Sequence, residues 1–217
     1  MTERLGPRDP PRGAGRTAPG EPPWGAGRPG SGEPPEVVGP VPDPLPTVAP
    51  PSVERPSVPL YGIPEDLAGT LPWSWAEERL AAAQSYWVAT TRPDGRPHLM
   101  PLWAAWHAGR LWFEGGAATR RARNLAAEPW LSIGIDLPED GAVVVEGTAQ
   151  RHLGVAPGLA DALVAAFGKY AEPPRSYRVD PASWADPAGG IWVVTPRIVF
   201  GWTDFPADAT RWRFAVG

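Results

Sequence analysis

Between residues 60 and 217 the chain alternates short apolar runs with turn signals, whereas the first 59 positions carry no periodic apolar pattern. Leu71–Ala83 (LPWSWAEERLAAA) opens with Pro72 and Ser74 and continues in good helix formers. This predicts a first helix with Trp75, Leu80 and Ala83 on one face. The runs Tyr86–Thr91, His98–Trp106 and Leu111–Gly115 follow, separated by Asp94-Gly95 and Ala108-Gly109. Turn signals between β-branched and aromatic runs predict a three-strand meander. In its second strand His98, Met100, Leu102, Ala104 and Trp106 point one way, and Leu99, Pro101, Trp103 and Ala105 the other. Both sets are mostly apolar, so both faces are expected to be covered.

Farther along, ATRRARNLAAEP predicts a short helix with Thr119 as N-cap and Pro129 as stop. WLSIGID and AVVVEGTAQRH predict a strand pair about the LPEDG turn. Ala156–Tyr170 reads as a longer helix, because Leu159, Leu163, Ala166 and Phe167 recur at helical spacing. After a Pro- and Asp-rich loop, IWVVTP and RIVFGW are expected to close the chain as a hairpin, followed by TRWRF. Six or seven strands with interspersed helices predict a mainly β (α+β) domain, a small antiparallel barrel with helical caps.

Composition divides the chain at the same place. Residues 1–59 hold 17 Pro and 9 Gly with Trp24 as their one aromatic, too little apolar surface to offset chain entropy. They are expected to form a disordered leader, whose Pro pairs favour polyproline II segments. Residues 60–217 hold 11 of the 12 Trp and are expected to form the one folded domain. The net charge of −4 is spread over both parts, which argues against general nucleic-acid affinity. There is no Cys, hence no disulfide or thiolate chemistry. The N-terminus carries no apolar h-region, and no run of about 18 apolar residues could span a bilayer. A cytoplasmic protein without a membrane partner is expected.

The candidate chemistry lies in the short helix. Arg120, Arg121 and Arg123 fall in its first turn, where the helix dipole already presents positive charge and free amides. That placement is unfavourable unless an anion sits there, and Gly115-Gly116 just upstream would let backbone approach a phosphate. The competing reading is a solvated basic face paired with Glu128 or Asp136.

The arrangement YWVATTRPDGRPHLMPLWAAWHAGRLWFEGG, then TRRARNLAAEPWLSIGID, then VVVEGTAQ resembles the pyridoxamine 5′-phosphate oxidase-like split-barrel family, in its FMN- or deazaflavin (coenzyme F-420)-binding branch. The resemblance covers Trp73 to about His152 and, more loosely, the C-terminal TRWRF. It implies an antiparallel split barrel in which the strand Gly95–Trp103, with His98, Leu99, Met100, Pro101, Leu102 and Trp103, lines the cofactor ring largely through backbone groups. Thr119, Arg120, Arg121 and Arg123 would hold the cofactor phosphate, with Arg121 at the position usually held by Lys, and Asn124 would brace the helix. Trp212 and Arg213 would close the pocket, across the interface of a homodimer. Trp103, Trp106, Trp112 and Trp130 could form an aromatic wall for a tricyclic ring, or simply fill core and interface.

Hydride chemistry of this kind belongs to the cofactor and needs no acid/base dyad from the protein. In keeping with that, His98, His107 and His152 lack metal-ligand spacing, and there is no nucleophile elbow, Walker loop or dinucleotide fingerprint. Glu146, in a strand beside a Gly, is expected to be a buried acid with an Arg partner. The implied function is a flavin- or deazaflavin-dependent oxidoreductase acting on a small organic substrate. The alternative is a non-catalytic module that binds a flavin, haem or related ligand on the same barrel.

Overall fold

The computed structural model describes residues 37–138 and 140–215. Ten strands and three helices run in the order β1 (Val37–Val38), β2 (Ser52–Glu54), α1 (Trp73–Ala82), β3 (Tyr86–Thr91), β4 (Pro97–Leu102), β5 (Ala105–His107), β6 (Arg110–Glu114), α2 (Arg120–Ala127), β7 (Trp130–Asp136), β8 (Ala142–His152), α3 (Pro157–Phe167), β9 (Ile191–Trp202) and β10 (Thr210–Arg213). The sheet path is β2-β10-β9-β8-β7-β3-β4, with β6 joining β9 and β5 joining β6. All these pairings are antiparallel except that of β1 with β8. The result is the mainly β, antiparallel split barrel with short helices.

The expected second strand is two strands. β4 pairs only with β3, while β5 pairs with β6, so the chain changes partners at Trp103-Ala104. Ala104 is wholly buried there, and its amide and carbonyl are both satisfied by the Tyr170 hydroxyl, at 3.1 and 2.9 Å. A buried peptide between strands needs such partners, and this one comes from 66 residues away. The closing hairpin, by contrast, is one strand. β9 runs through Thr195-Pro196: Arg197 is an extra, unpaired residue of β9 opposite Glu146/Gly147 of β8, and this bulge sets Gly147 opposite Pro196. A Cβ on Gly147 would collide with the Thr195 carbonyl. The second member of the C-terminal hairpin is β10.

Two buried clusters fill the domain. One lies inside the barrel and includes Leu80, Tyr86, Val88, Phe113, Ile133, Val145 and Trp212; the other lies under α3 and includes Trp112, Leu163, Phe167 and Trp184. Residues 37–59, placed by composition with the leader, dock on the domain. β1 extends β8, β2 extends β10, Val41 is buried in the α3 cluster, and the Arg110 guanidinium donates to the Pro46 carbonyl at 2.7 Å. Pro-rich backbone suits this edge position because it donates little to a ladder yet still accepts. The folded domain therefore starts before Leu60, and residues 1–36 lie outside the described structure. No helix among the described residues is long and apolar enough to cross a membrane.

Candidate functional site

α2 begins as its sequence predicts. Thr119 caps it, with Oγ1 accepting from the Ala122 amide at 3.2 Å, and the Thr119 amide donates to Gly116 at 3.1 Å. The Gly115-Gly116 segment is held from the other side by the Ala117 amide, which donates to the Ala188 carbonyl at 2.9 Å. Arg120 and Arg123 are exposed, whereas Arg121 is half-buried. Its guanidinium lies 4.9 Å from the Phe113 ring centroid and packs so closely on Gly115 that a Cβ there would sit 2.7 Å from Nη2. Burial holds the Arg121 pKa below its ordinary value.

Neither expected counter-ion is used. The ion pairs among the described residues involve Arg79, Arg96, Arg178, Arg211 and Arg213, and none joins an α2 arginine to Glu128, Asp136 or any other acid. Arg121 instead lies over Phe113 and donates to the Glu114 carbonyl at 3.4 Å, and no α2 arginine has an acid partner among the described residues.

Asn124 braces the helix, as the resemblance implies. Fully buried, its Nδ2 donates to Thr90 Oγ1 on β3 at 2.9 Å, and that hydroxyl lies 3.4 Å from His98 Nδ1 on β4. The Asn124 Oδ1 is buried without a partner. His98 has its pKa lowered by burial first, and then by the charges of Arg92, Arg121 and Arg120. Its ring is therefore neutral at pH 7.

The β4 residues divide between two faces. Register puts His98, Met100 and Leu102 opposite Thr90, Val88 and Tyr86, on the side of the barrel interior and α2. Leu99 and Pro101 instead share the outer face with Ala89 and Trp87. The expectation that both faces are covered fails within this chain: Leu99 is 56% and Met100 48% exposed, because β4 is an edge strand.

Trp103 stacks on Tyr170, with centroids 5.3 Å apart and planes at 18°, and leans on Tyr177 at 5.1 Å. The Tyr177 hydroxyl and Trp184 Nε1 both donate to the Glu114 carboxylate. Burial and that carboxylate push the Tyr177 pKa up, so it stays a protonated donor. A polar cavity of about 320 Å³ opens beside it, lined by Glu114, Gly115, Gly116, Tyr177, Ser183 and Asp186. No wall forms from Trp103, Trp106, Trp112 and Trp130: Trp106 and Trp112 are buried in different clusters, and Trp130 lies at the outer face.

Two further expectations change. Trp212 is fully buried in the barrel core, stacked on Trp75 and edge-on to Trp73, so it fills the core instead of closing a pocket. Arg213, on the neighbouring face, donates to Glu54 at 3.2 Å, at the far end of the sheet path from β4. Glu146 is half-buried with no Arg partner among the described residues, and lines a shallow outer cavity with Trp130 and Ser132.

Sequence reading missed Thr90 and Arg92. The Arg92 Nε is buried without a partner, while Asp94 pairs with Arg96 at 2.6 Å and also feels the charge of Arg92. The available signal was the crowding of two arginines around one aspartate in RPDGR.

The pyridoxamine 5′-phosphate oxidase family model matches residues 75–202, and the chain belongs to that family. No curated protein matches significantly. Among solved structures, the chain is similar to the conserved hypothetical protein Rv2991 from Mycobacterium tuberculosis, at 23% identity over 62% of this chain and 87% of that one, with a TM-score of 0.50. It is also similar to an F-420 reductase (24% identity, 57% and 94% covered, TM-score 0.43). A third similar structure is a pyridoxamine 5′-phosphate oxidase-related, FMN-binding protein from Nostoc punctiforme PCC 73102 (20% identity, 63% and 85% covered, TM-score 0.43).

Proposed function

We propose that the protein is a flavin- or deazaflavin-dependent oxidoreductase, with FMN or coenzyme F-420 held by its phosphate at the N-terminus of α2. The observation that carries this reading is Arg121: a half-buried cation beside Gly115, at the positive end of a helix, with no carboxylate partner among the described residues. A phosphate would neutralise it and accept from Thr119 and the free amides of the first turn. Bound cofactor would supply the hydride transfer. The protein's share is position and electrostatics. Arg120, Arg121 and Arg123 bind the anion, Asn124 and Thr90 fix α2 against β3, and the exposed inner face of β4 with Met100 offers a surface for a ring. Trp103, backed by Tyr170 and Tyr177, gives a rigid aromatic edge toward the polar cavity at Glu114.

The site would be completed by a second copy of the chain. Trp87, Leu99 and Trp130, on three adjacent strands, are 44%, 56% and 51% exposed. An apolar outer face of this kind is what an isologous dimer covers.

The test is the absorbance of the purified full-length protein, followed by turnover of the reduced cofactor with a panel of quinones, nitro compounds and enones. Cofactor-dependent, saturable oxidation is expected. Cofactor that binds but stays inert would instead favour a ligand-carrying module on the same barrel.

A further inference from the structure

The hairpin joining β5 to β6 turns through Ala108 and Gly109, both left-handed at φ 51° and 70°, as a two-residue turn requires. Residues 45–50 cross this tip on their way from β1 to β2, and Val48 lies so close that a Cβ on Gly109 would meet the Val48 Cβ at 3.0 Å. Away from that contact the two segments do not close on each other. A cavity of about 360 Å³ is left between residues 45–50, the hairpin tip, α1 and Phe214, within the range of roughly 300–1,000 Å³ that small-molecule pockets span.

Leu45, Val48, Trp73 and Phe214 form its apolar walls. Leu45 and Val48 each pack on a buried cluster, and the Trp73 ring is fixed edge-on against Trp106, Trp212 and Phe214, so a ligand would enter a wall that is already ordered. The cation of the cavity is Arg110, only 9% exposed. Its guanidinium donates to two neutral carbonyls, Ala108 at 3.1 Å and Pro46 at 2.7 Å, which uses two of its five N–H groups. No acid among the described residues pairs with it, and burial holds its pKa below the ordinary value. Glu77 lines the same cavity, but no ion pair joins it to Arg110. A buried charge without a counter-ion is costly, and an anion in the cavity would offset that cost.

We propose that this cavity binds a small monocarboxylate with an apolar body, its carboxylate on Arg110 and its chain against Val48, Trp73 and Phe214. A carboxylate matches the planar fork of a guanidinium, and the apolar walls reward burial of a hydrocarbon chain. Glu77 narrows the class, because a second anionic group on the ligand would meet a like charge. The site lies at the opposite end of β6 from Glu114, and the inference does not rest on the oxidoreductase reading.

The experiment is isothermal calorimetry of the full chain with octanoate, octanol and the dicarboxylate suberate, for the wild type and for Arg110→Gln, Arg110→Lys and Val48→Phe. Wild type is expected to bind one octanoate per chain, at least about tenfold more tightly than octanol or suberate. Arg110→Gln should bring octanoate down to the affinity of octanol, and Arg110→Lys should keep part of the difference. Val48→Phe leaves the charge in place but fills the cavity, and should abolish binding of both; it decides the matter where Arg110→Gln fails to fold. The inference is overturned if octanoate does not bind the wild type saturably, if octanol binds as tightly, if FMN displaces octanoate, or if folded Arg110→Gln or Val48→Phe binds octanoate as the wild type does. None of these results bears on whether a cofactor binds at α2.

Discussion

Two groups of arginines divide this molecule. On the β10 side, Arg211 and Arg213 converge on Glu54 of β2, whose carboxylate is held below its ordinary pKa first by Arg213, and the adjoining core is sealed by Trp212. On the β4 side, Arg120 and Arg121 of α2 have no acid partner among the described residues, beside a strand on which Leu99 and Met100 leave both faces open. The cations at one end of the sheet are held by a carboxylate of the fold, and those at the other are the ones the proposed cofactor phosphate would neutralise.

The largest effect that sharpens this contrast is on stability. Trp212→Ala should destabilise the domain by about 3–5 kcal/mol, because it opens a cavity among Trp73, Trp75 and Phe214, and chemical denaturation would show it. Cofactor affinity of whatever remains folded should be little changed; selective loss of binding would return Trp212 to the site. Next comes Arg121→Ala. It should lower affinity for the phosphorylated cofactor by roughly ten- to a hundredfold, measured by calorimetry, while leaving thermal stability equal or higher, since a desolvated, unpaired cation is removed. Leu99→Asp should abolish the proposed dimer, converting it to monomer in light scattering after size-exclusion chromatography.

A smaller, diagnostic effect concerns His98. Its folded pKa lies below the ordinary histidine value, so protonation disfavours the ligand-free fold as pH falls through the unfolded value of about 6.5. An anion at the α2 arginines offsets their charge and should raise the His98 pKa, so that binding takes up protons. Imidazole NMR titration with and without FMN would read this; an unmoved pKa places the anion elsewhere. Smallest of all, Glu54→Gln should cost under about 1 kcal/mol, since the pair is partly exposed. The Glu54 carboxyl is depressed on folding, so its contribution is present above the unfolded pKa and lost as pH falls through the folded one.

How much of this was legible in the sequence follows from the range of the interactions. Elements specified locally were plain: α2 from Thr119 and Pro129, and β7–β8 from alternation about the LPEDG turn. Strand breaks and continuities set by distant partners were not. The interruption at Ala104 depends on Tyr170, and the continuity of β9 through Pro196 depends on the bulge at Arg197, opposite Gly147. Docking of residues 37–59 was hidden because a Pro-rich composition describes a chain's own propensity and not the edge it can cover. Within the site, the α2 cations could be read from their crowding at a helix start. Thr90 could not, because only the structure shows that the buried Asn124 of α2 reaches it on β3.

The central claim is that the unpaired arginines at α2 exist to hold a cofactor phosphate. Isothermal calorimetry of the full-length protein with FMN and with coenzyme F-420 tests it most directly. Saturable binding of at least one, at one cofactor per chain and weakened by Arg121→Ala, is predicted. Silence with both would contradict it.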